Sequence, residues 1–455
     1  MKNRMFCETL QRFQQNVKNA IGCKIALGTT LALFLLNGLV SAQSGPTEFV
    51  PFRNFIDQTT TVNAADYLGQ PASKVKDAGA FEEMRQHILN MYHGVEVNHS
   101  FVLDSAHYDC VPIEQQPAVR KYGIKKIASP PPQSILDKSA DDQAGTIEPA
   151  SQLDSENPFD AFGNSVHCEE HTIPMRRITL ETMTRFQTLQ QFFQKSPNEQ
   201  VPGQKKKHAP GAAHKYSFTY QWVNNLGGNS NLNIWSPYVN TAAGEIFSLS
   251  QEWYVGGSGS GEQTEEVGWV VYPAMFGDEY SHFFIFSTPD DYNSGCWNNS
   301  CGDFVQVANG SFLGARFNPT SSTFGGQQIE FSSEYELYKG NWWVSYSGTW
   351  VGYYPGSMYH GGQNTKYAQL IEFGTEGVGT NVWPPEGSGQ WPSKGYEYAA
   401  FQRNLWYFNT SAGTVWDSLT PDIPSPNCYS IAGPYHSSGD WTVYFYEGGP
   451  GGSGC

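Results

Sequence analysis

The chain has 455 residues, of which 39% are hydrophobic and 15% aromatic, so it can form two or three folding units with a sizeable core. Charged residues make up only 15%, which excludes an acidic or basic disordered tail as the main content. The formal net charge of −16 argues against a nucleic-acid partner, because phosphate binding needs clustered Lys and Arg. Beyond residue 209 carboxylates far outnumber basic groups, which favours tolerance of acid or simple solubility.

Residues 1–42 are typical of a signal peptide. Basic residues precede an apolar run from Ile25 to Val40, and Val40-Ser41-Ala42 offers a cleavage site with small side chains. The run is short for a membrane span, although the long basic segment before it leaves an uncleaved anchor as the alternative. We expect a secreted, extracellular or periplasmic protein with no stable membrane association after cleavage.

Of the eight cysteines, Cys7 and Cys23 lie in this leader and six follow it. An even number of cysteines in an oxidising compartment predicts disulfides. Proximity along the chain suggests the pairs Cys296–Cys301 and Cys428–Cys455, which leaves Cys110–Cys168. A zinc site is the alternative, but no CxxC pair or HExxH helix accompanies these cysteines.

Residues 43–196 carry the helical signals and predict a smaller α+β pro-domain. Apolar residues recur at helical spacing from Phe81 to Met91, and Gly94 follows as a stop. A second helix is predicted from Leu180 to Lys195, with Thr179 as its cap. Between the two helices, the stretch rich in Pro, Ser and Asp from Ser129 to Pro158 indicates a flexible loop.

Residues 197–213 form a linker that is basic and rich in Pro and Gly. Such a segment is an exposed target for proteolysis, and its run of three lysines (205–207) suggests a processing site. An inert spacer is the alternative.

From residue 214 to the end, short aromatic segments rich in β-formers alternate with clusters of Gly, Asn, Asp, Ser and Pro. These segments are Ser217–Val223, Phe283–Phe286, Asn341–Tyr354 and Trp441–Tyr446. Many short strands with turns between them predict a mainly β protein whose larger unit, residues 214–455, is an antiparallel β-sandwich or barrel. Function should reside in this unit.

Serine and histidine chemistry lacks its usual context in this unit. No GxSxG elbow is present, and Ser258 and Ser260 lie in a Gly-Ser turn. The histidines have no spacing typical of a metal site and are interpreted as surface or core residues: His214, His282, His360 and His436.

Carboxylates in apolar β-segments are the remaining candidates, since an ionised group there is costly unless it is paired or used. Glu265 and Glu266 would point to opposite faces of one strand, so only one can line a given cleft. Glu372 and Glu376 would share a face of another strand unless Gly374 breaks it. On composition alone, each is more often a surface group or a member of an ion pair.

An ordered set of motifs resembles the neprosin family along nearly the whole exported chain. In the helical region these are Asp109-Cys-Val, Gln116-Pro-Ala and Thr172-Ile-Pro-Met-Arg-Arg. In the β region they are Asn233-Ile-Trp-Ser-Pro-Tyr-Val, Glu266-Val-Gly-Trp-Val-Val-Tyr-Pro, Ser294-Gly-Cys-Trp-Asn-Asn-Ser-Cys-Gly-Asp-Phe-Val-Gln, Gly340-Asn-Trp-Trp-Val and Ile371-Glu-Phe-Gly-Thr-Glu. Because several motifs occur in the expected order, the resemblance is specific.

The resemblance implies a glutamic peptidase that cuts at proline in acid and needs no metal or organic cofactor. Its two catalytic glutamates fall on Glu266 and Glu376. The family has Gly-Gly-Glu where this chain has Gly374-Thr375-Glu376, and this departure leaves Glu372 as the alternative. Two carboxyls facing one water separate their pKa values, so we expect Glu376 as the base and Glu266 as the acid. The resemblance also implies an N-terminal activation peptide, which we expect to inhibit a monomeric enzyme acting on proteins or peptides.

Three tryptophans are candidates for stacking on a prolyl ring: Trp269, Trp342 and Trp343. Core packing is the alternative for each. Two other functions would use similar residues: a β-sandwich glycoside hydrolase, which also needs paired carboxylates, and a non-catalytic module that binds glycans or cell walls.

Overall fold

The structure is a computed structural model that describes residues 48–132, 147–153, 157–195 and 213–455. The predicted signal peptide, residues 1–42, and nearly all of the predicted linker lie outside the described residues. The protein is mainly β, with 39% strand and 17% helix, which confirms the predicted fold class.

The N-terminal region consists of short helices around a small sheet, in which β2 pairs antiparallel with β1 and β4. Its helices are α1 (Phe52–Thr61), α2 (Ala78–Met91), α3 (Pro117–Lys121), α4 (Leu180–Met183) and α5 (Leu189–Phe193). Its strands are β1 (Ser100–Leu103), β2 (Ala106–Pro112), β3 (Ile147–Pro149) and β4 (Thr172–Arg176). The predicted first helix is α2, which begins where the side chain of Asp77 accepts a hydrogen bond from the Ala80 amide.

The prediction of one continuous helix from Leu180 to Lys195 is wrong, since this stretch forms the two short helices α4 and α5. Threonines explain the interruption. Thr184 directs its hydroxyl to the carbonyl of Leu180, and Thr188 is the N-cap of a new helix, accepting from the Gln191 amide. The chain therefore leaves α5 in an extended conformation and reaches Lys195 outside any helix.

The C-terminal region carries the long strands and one short helix, α6 (Pro273–Phe276). Its strands are β5 (Ala213–Asn233), β6 (Glu245–Gly256), β7 (Gln263–Val271), β8 (His282–Thr288), β9 (Cys296–Trp297), β10 (Val305–Gln306), β11 (Gln328–Tyr338), β12 (Asn341–Tyr346), β13 (Thr349–Pro355), β14 (Ala368–Gly379), β15 (Ala400–Asn409), β16 (Thr414–Trp416), β17 (Thr420–Asp422), β18 (Ser430–His436) and β19 (Val443–Gly448). Pairing follows the order β10-β13-β12-β11-β5-β14-β6-β7-β8-β9.

Strand β5 joins two groups of strands. Its first half pairs with β14, which continues to β6, β7 and β8, and its second half pairs with β11 and β15. Gly227 lies at the change of partner with φ +105°, and a Cβ there would overlap the carbonyl oxygen of Tyr335, so only glycine fits. Aromatic and aliphatic side chains from both groups meet in one core, as in a sandwich.

Strand alternation gives β7 two different faces. Glu265, Val267 and Trp269 point into the core between the two groups of strands. Glu266 and Val270 point outward, where the helices of the N-terminal region pack against the sheet. The outward face of β6, β7 and β8 is thus buried beneath the N-terminal region.

The three predicted disulfides, Cys110–Cys168, Cys296–Cys301 and Cys428–Cys455, are all present. Within the part of the chain that the structure describes, no helix combines the length and apolar character that a membrane crossing requires.

Candidate active site

The two predicted catalytic glutamates lie on the same outward face of neighbouring strands. Glu266 on β7 is opposite Trp253 of β6, and Glu376 on β14 is opposite Leu249 of β6. Gln251 lies between these two β6 positions and points to the same face. The glutamates therefore occupy diagonal positions on either side of one buried amide.

Glycines flank that amide on both sides. Gly374 of β14 and Gly268 of β7 are the cross-strand partners of Gln251. A Cβ at either glycine would overlap a main-chain carbonyl oxygen, that of Ser217 or Ser250 respectively. The site consequently has a floor without side chains beside Gln251, between the two carboxylates.

A single ammonium group fills the space between the carboxylates. Lys195, which follows α5, donates to Glu266 and lies 2.9 Å from Oε2 of Glu376. Its Nζ also donates to Oε1 of Gln251 at 2.8 Å. Lys195 is 5% exposed and the glutamates 0% and 1%, so water is largely excluded from this group of charges. Both carboxyl groups thus lie within contact distance of one nitrogen atom.

Burial and pairing oppose each other in setting the charge of this cluster. Burial disfavours the charged form of Lys195, but the two carboxylates outweigh it and raise the pKa of the ammonium. Burial likewise disfavours ionisation of Glu376, yet Lys195 and the imidazole of His214 lower the pKa of Glu376 to about 2. Glu376 is therefore ionised in this form of the protein except in strong acid.

Glu266 has two further partners on its other carboxyl oxygen. Thr264 donates to Oε1 at 2.8 Å and the hydroxyl of Tyr292 donates to the same atom at 2.7 Å. Burial, followed by the charge of Glu266, raises the pKa of Tyr292 well above its usual value, so the phenol keeps its proton and acts as a donor. These contacts fix the orientation of the Glu266 side chain.

Besides Lys195, sequence reasoning missed four polar neighbours of the glutamates: Gln251, Thr264, His214 and Tyr292. Strand alternation places Thr264 beside Glu266, two residues along β7, so a signal for it exists in the sequence. His214 was interpreted as a surface or core residue, but it contacts Glu376. Tyr292 comes from the loop after β8, and no periodicity indicates its position.

The alternative glutamate, Glu372, lies on the same face but does not contact Lys195 among the described contacts. It is opposite Trp253, and burial raises its pKa to about 8. The unusual Thr375 points to the other face, where its hydroxyl bonds to Ser217 at 2.8 Å and to Glu386. The departure from Gly-Gly-Glu therefore leaves the position of Glu376 unaffected, and the structure brings Glu266 together with Glu376.

The prediction that the tryptophans line the site is not supported. Trp269 is three residues from Glu266 on one strand and so faces inward, where its indole donates to the carbonyl of Asn233 at 3.0 Å. Trp342 is also in the inner core. Trp343 is fully buried on the outer face of β12, away from the strands that carry the glutamates. Core packing, the alternative interpretation, holds for Trp269 and Trp342.

Metal-ligand spacing occurs at one cluster within the described ranges, formed by Cys296, Cys301 and Asp303. The two cysteines of this cluster are joined as a disulfide.

The neprosin family model matches residues 244–450, just under half of the chain, and this range contains both glutamates and Gln251. The chain carries a neprosin domain. The match bears out the predicted resemblance to the neprosin family over this range and supports the predicted enzyme class of glutamic peptidase. The neprosin domain supplies strands β6, β7 and β14, whereas Lys195 and His214 lie before the matched range.

Two solved structures are also similar to the chain. A crystal structure of scytalido-glutamic peptidase with a transition-state-analogue inhibitor matches at 10% identity and a TM-score of 0.29, covering 51% of this chain and 98% of that one. A second, with a peptide-based transition-state analogue, matches at 8% identity and a TM-score of 0.27 over the same shares. At these values the likeness does not establish a common mechanism.

Proposed function

We propose that the protein is a secreted glutamic endopeptidase, made as a latent precursor, that hydrolyses peptide bonds at proline in acid. The observation that supports this most strongly is the Lys195 ammonium held between Glu266 and Glu376. It shows that both carboxyl groups can contact one small polar group at the same time.

A water molecule in place of the ammonium would form the reacting centre. Water has the size of an ammonium group and would lie within hydrogen-bond distance of both glutamates and of Gln251. With the cation gone, two close carboxyls share one proton, because both cannot ionise cheaply in a buried site. One ionised and one protonated carboxyl are what acid–base hydrolysis needs.

The hydrogen-bond partners favour one assignment of roles. His214 contacts Glu376 and favours its ionised form, so Glu376 is the base that removes a proton from the attacking water. Glu266 holds the shared proton, donates a hydrogen bond to the carbonyl oxygen of the scissile bond, and then protonates the leaving nitrogen. Tyr292 and Thr264 orient its second oxygen during both steps.

Latency follows from the same contact. Lys195 occupies the position of the water, and the chain before it lies over the site, where the indole of Trp297 donates to the Gln194 carbonyl at 3.3 Å. Substrate and water are thereby excluded together. Because the pKa of Glu376 is held at about 2, the contribution of this contact to the stability of the precursor is complete above pH 4.5 and is lost as the pH falls toward 2.

Maturation then requires a cut in the chain shortly after Lys195. The basic linker begins within a few residues of Lys195, so cleavage there frees the inhibitory region from the strands. We expect the released fragment to end between Gln204 and Ala213. Three disulfides fit an extracellular protein, which agrees with a signal peptide at residues 1–42.

Preference for proline is supported by the family resemblance and by the apolar surroundings of the glutamates. The outward faces of Phe284, Phe286 and Trp297 lie beneath the N-terminal region and would be uncovered by its release. Flat aromatic surfaces of this kind suit a rigid prolyl ring.

The test is incubation of the acid-treated protein at about pH 4 with a proline-containing peptide and, separately, with glucans, followed by mass spectrometry. We expect peptide cleavage that resists EDTA and serine-protease inhibitors. Glu376→Gln should abolish it, whereas Glu372→Gln, on the same strand and face, should retain most of it. Release of sugar without peptide cleavage, or the reverse ranking of the two variants, would contradict the proposal.

A further inference from the structure

A second aromatic surface of the neprosin domain is covered by a different part of the N-terminal region. Trp343, Trp350 and Tyr353 form this surface, which we call the aromatic groove. The covering segment is residues 117–132, of which Ala118, Val119, Ile124, Ile127 and Ala128 pack against the groove. The groove is therefore buried only as long as the covering segment stays in place.

The aromatic groove is separate from the glutamates. Trp343 of β12 is opposite Tyr353 of β13, and their ring centroids lie 4.7 Å apart. Trp350 of β13 completes the set, with its ring centroid 6.3 Å from that of Trp343. The catalytic pair lies on β7 and β14, and neither β12 nor β13 is hydrogen-bonded to these strands.

The groove contains hydrogen-bonding groups that are not used in the precursor. The indole nitrogens of Trp343 and Trp350 are buried, and no acceptor lies within reach of either in the described part of the chain. Trp343 is 0% exposed and Trp350 6%. Buried donors normally find an acceptor, so two unpaired indole groups show that the covering segment leaves these donors unused, and a substrate segment that places carbonyl oxygens there would gain hydrogen bonds that the covering segment lacks.

The covering segment shows what chemistry the groove accepts. Its main chain already contacts the groove, since the Ala128 amide donates to the hydroxyl of Tyr353 at 3.2 Å. It has no regular secondary structure after Lys126 and ends in Ser129-Pro130-Pro131-Pro132, with Pro131 buried. Consecutive prolines favour the polyproline II helix, whose carbonyl groups are free to accept hydrogen bonds. Grooves lined by aromatic residues are a common site for such segments.

We propose that the aromatic groove is an exosite for proline-rich polypeptide, occupied in the precursor by helix α3 and the non-helical residues 122–132 that follow it, and vacated on maturation. The inference rests on the proposed function, because only release of the N-terminal region opens the groove. A proline-rich substrate held there would reach the glutamates by an intramolecular step, which raises its effective concentration at the catalytic site. Long substrates should therefore be cut more efficiently than short peptides of the same cleavage sequence.

The direct test uses the Glu266→Gln protein, cut in trans by a trace of wild-type enzyme and freed from its N-terminal region by gel filtration in acid. A fluorescent peptide of residues 117–132 serves as the probe, and anisotropy measures its binding. We expect saturable binding to the processed protein and none to the uncut precursor. A matched peptide with Pro130, Pro131 and Pro132 replaced by alanine should bind at least about five-fold more weakly, because it is less preorganised.

A variant pair tests the residues. Tyr353→Phe keeps the ring but removes the hydroxyl that accepts from the Ala128 amide, and it should weaken probe binding about five-fold, the value of one neutral hydrogen bond. Tyr435→Phe, at an exposed tyrosine on β18, should change nothing. Cleavage of a long proline-rich substrate should fall by a similar factor in an otherwise wild-type Tyr353→Phe enzyme, while cleavage of a short peptide stays constant and shows that the fold is intact.

The outcomes separate this inference from the proposed function. Without any cleavage in trans or of short peptides, the peptidase proposal fails. Three results would each overturn the exosite alone. They are peptide cleavage without binding of the probe, equal binding of the alanine peptide, and an N-terminal region that stays bound to the enzyme after the cut.

Discussion

Glu265 and Glu266 are consecutive residues of one strand and are both buried, yet they point to opposite faces and have different partners. Glu265 faces the core and accepts from the amide of Asn364 at 3.0 and 2.8 Å. Burial raises its pKa to about 8, so it is a neutral acid at the pH where the enzyme is proposed to work. Glu266 faces outward and contacts the Lys195 ammonium.

The difference shows that burial alone does not make a carboxylate catalytic in this fold. Several other buried acids resemble Glu265 in accepting hydrogen bonds from neutral donors: Glu252 from Ser333 and Tyr254, Glu386 from Thr375, and Glu447 from Ser250 and Gln402. What distinguishes Glu266 and Glu376 is a shared outward face and a removable cation.

The largest effect on activity should come from replacing Glu266, but not its neighbour Glu265, with glutamine. Glu266→Gln removes the transferable proton and should lower kcat by about 10²–10⁴-fold, as loss of an acid–base group does. Glu265→Gln replaces a neutral acid with a neutral amide of the same shape, and its kcat should stay within about three-fold of wild type. Peptide hydrolysis at pH 4 measures both. Similar losses of kcat in the two variants would contradict the assignment of catalysis to the outward face of β7 alone.

Removal of the cation should be nearly as severe, but with opposite consequences for activity. Lys195→Met deprives two buried carboxyl groups of their shared cation, which should destabilise the precursor by about 3–5 kcal/mol at neutral pH. The variant should also hydrolyse peptide before any cut in the linker, because no ion pair then holds the inhibitory segment over the site.

Lys215→Met is the matched control, since the Lys215 ammonium donates to the carbonyl of Cys455 at 3.0 Å and lies over the ring of Trp383, away from the catalytic glutamates. It should keep both stability and latency. Denaturant unfolding and an activity assay on uncut protein distinguish the two variants, and a fully latent Lys195→Met would remove the lysine from the inhibitory mechanism.

Neutral buried acids predict a third, intermediate effect on stability. Burial raises the pKa of Glu265 to about 8 and that of Glu447 to about 7. A raised pKa in the folded state contributes stability that is complete below the unfolded value near 4.5 and is lost as the pH passes 7 to 8. The pKa of Glu376 is lowered instead of raised, so its contribution to stability is lost as the pH falls below 4.5. The free energy of unfolding should therefore be greatest near pH 5.

Urea unfolding between pH 3 and pH 9 measures this profile. The loss between pH 5 and 8 should amount to a few kcal/mol, since one unit of pKa shift corresponds to about 1.4 kcal/mol. Glu265→Gln should reduce the loss of stability on the alkaline side of the profile by the part due to Glu265. It should leave the acidic side of the profile unchanged. A profile that rises toward pH 8 would show that these acids are ionised in the fold.

Much of this arrangement could be predicted from the sequence, for reasons that also explain the errors. Aromatic segments rich in β-formers, separated by turn clusters, predicted the strands, and the order of motifs predicted both glutamates. Strand alternation predicts that Trp269, three residues from Glu266, lies on the opposite face, which argues against the stacking hypothesis for Trp269. Lys195 could not be predicted, because its position depends on a break in the helix and on a partner 71 residues away. Tyr292 is likewise fixed by tertiary structure alone.

The smallest effect concerns His214, a positioning residue that acts through Glu376. Its imidazole contacts Oε1 of Glu376 and helps to lower the pKa of that carboxyl. In His214→Asn the pKa of Glu376 should rise, so the acidic limb of the kcat profile should move to higher pH by up to about one unit while the maximum rate changes little. His436→Asn, at an exposed site, is the control. A limb that stays in place, with unchanged folding, would mean that His214 does not lower the pKa of Glu376 in the mature enzyme, and the assignment of Glu376 as the base would lose its support.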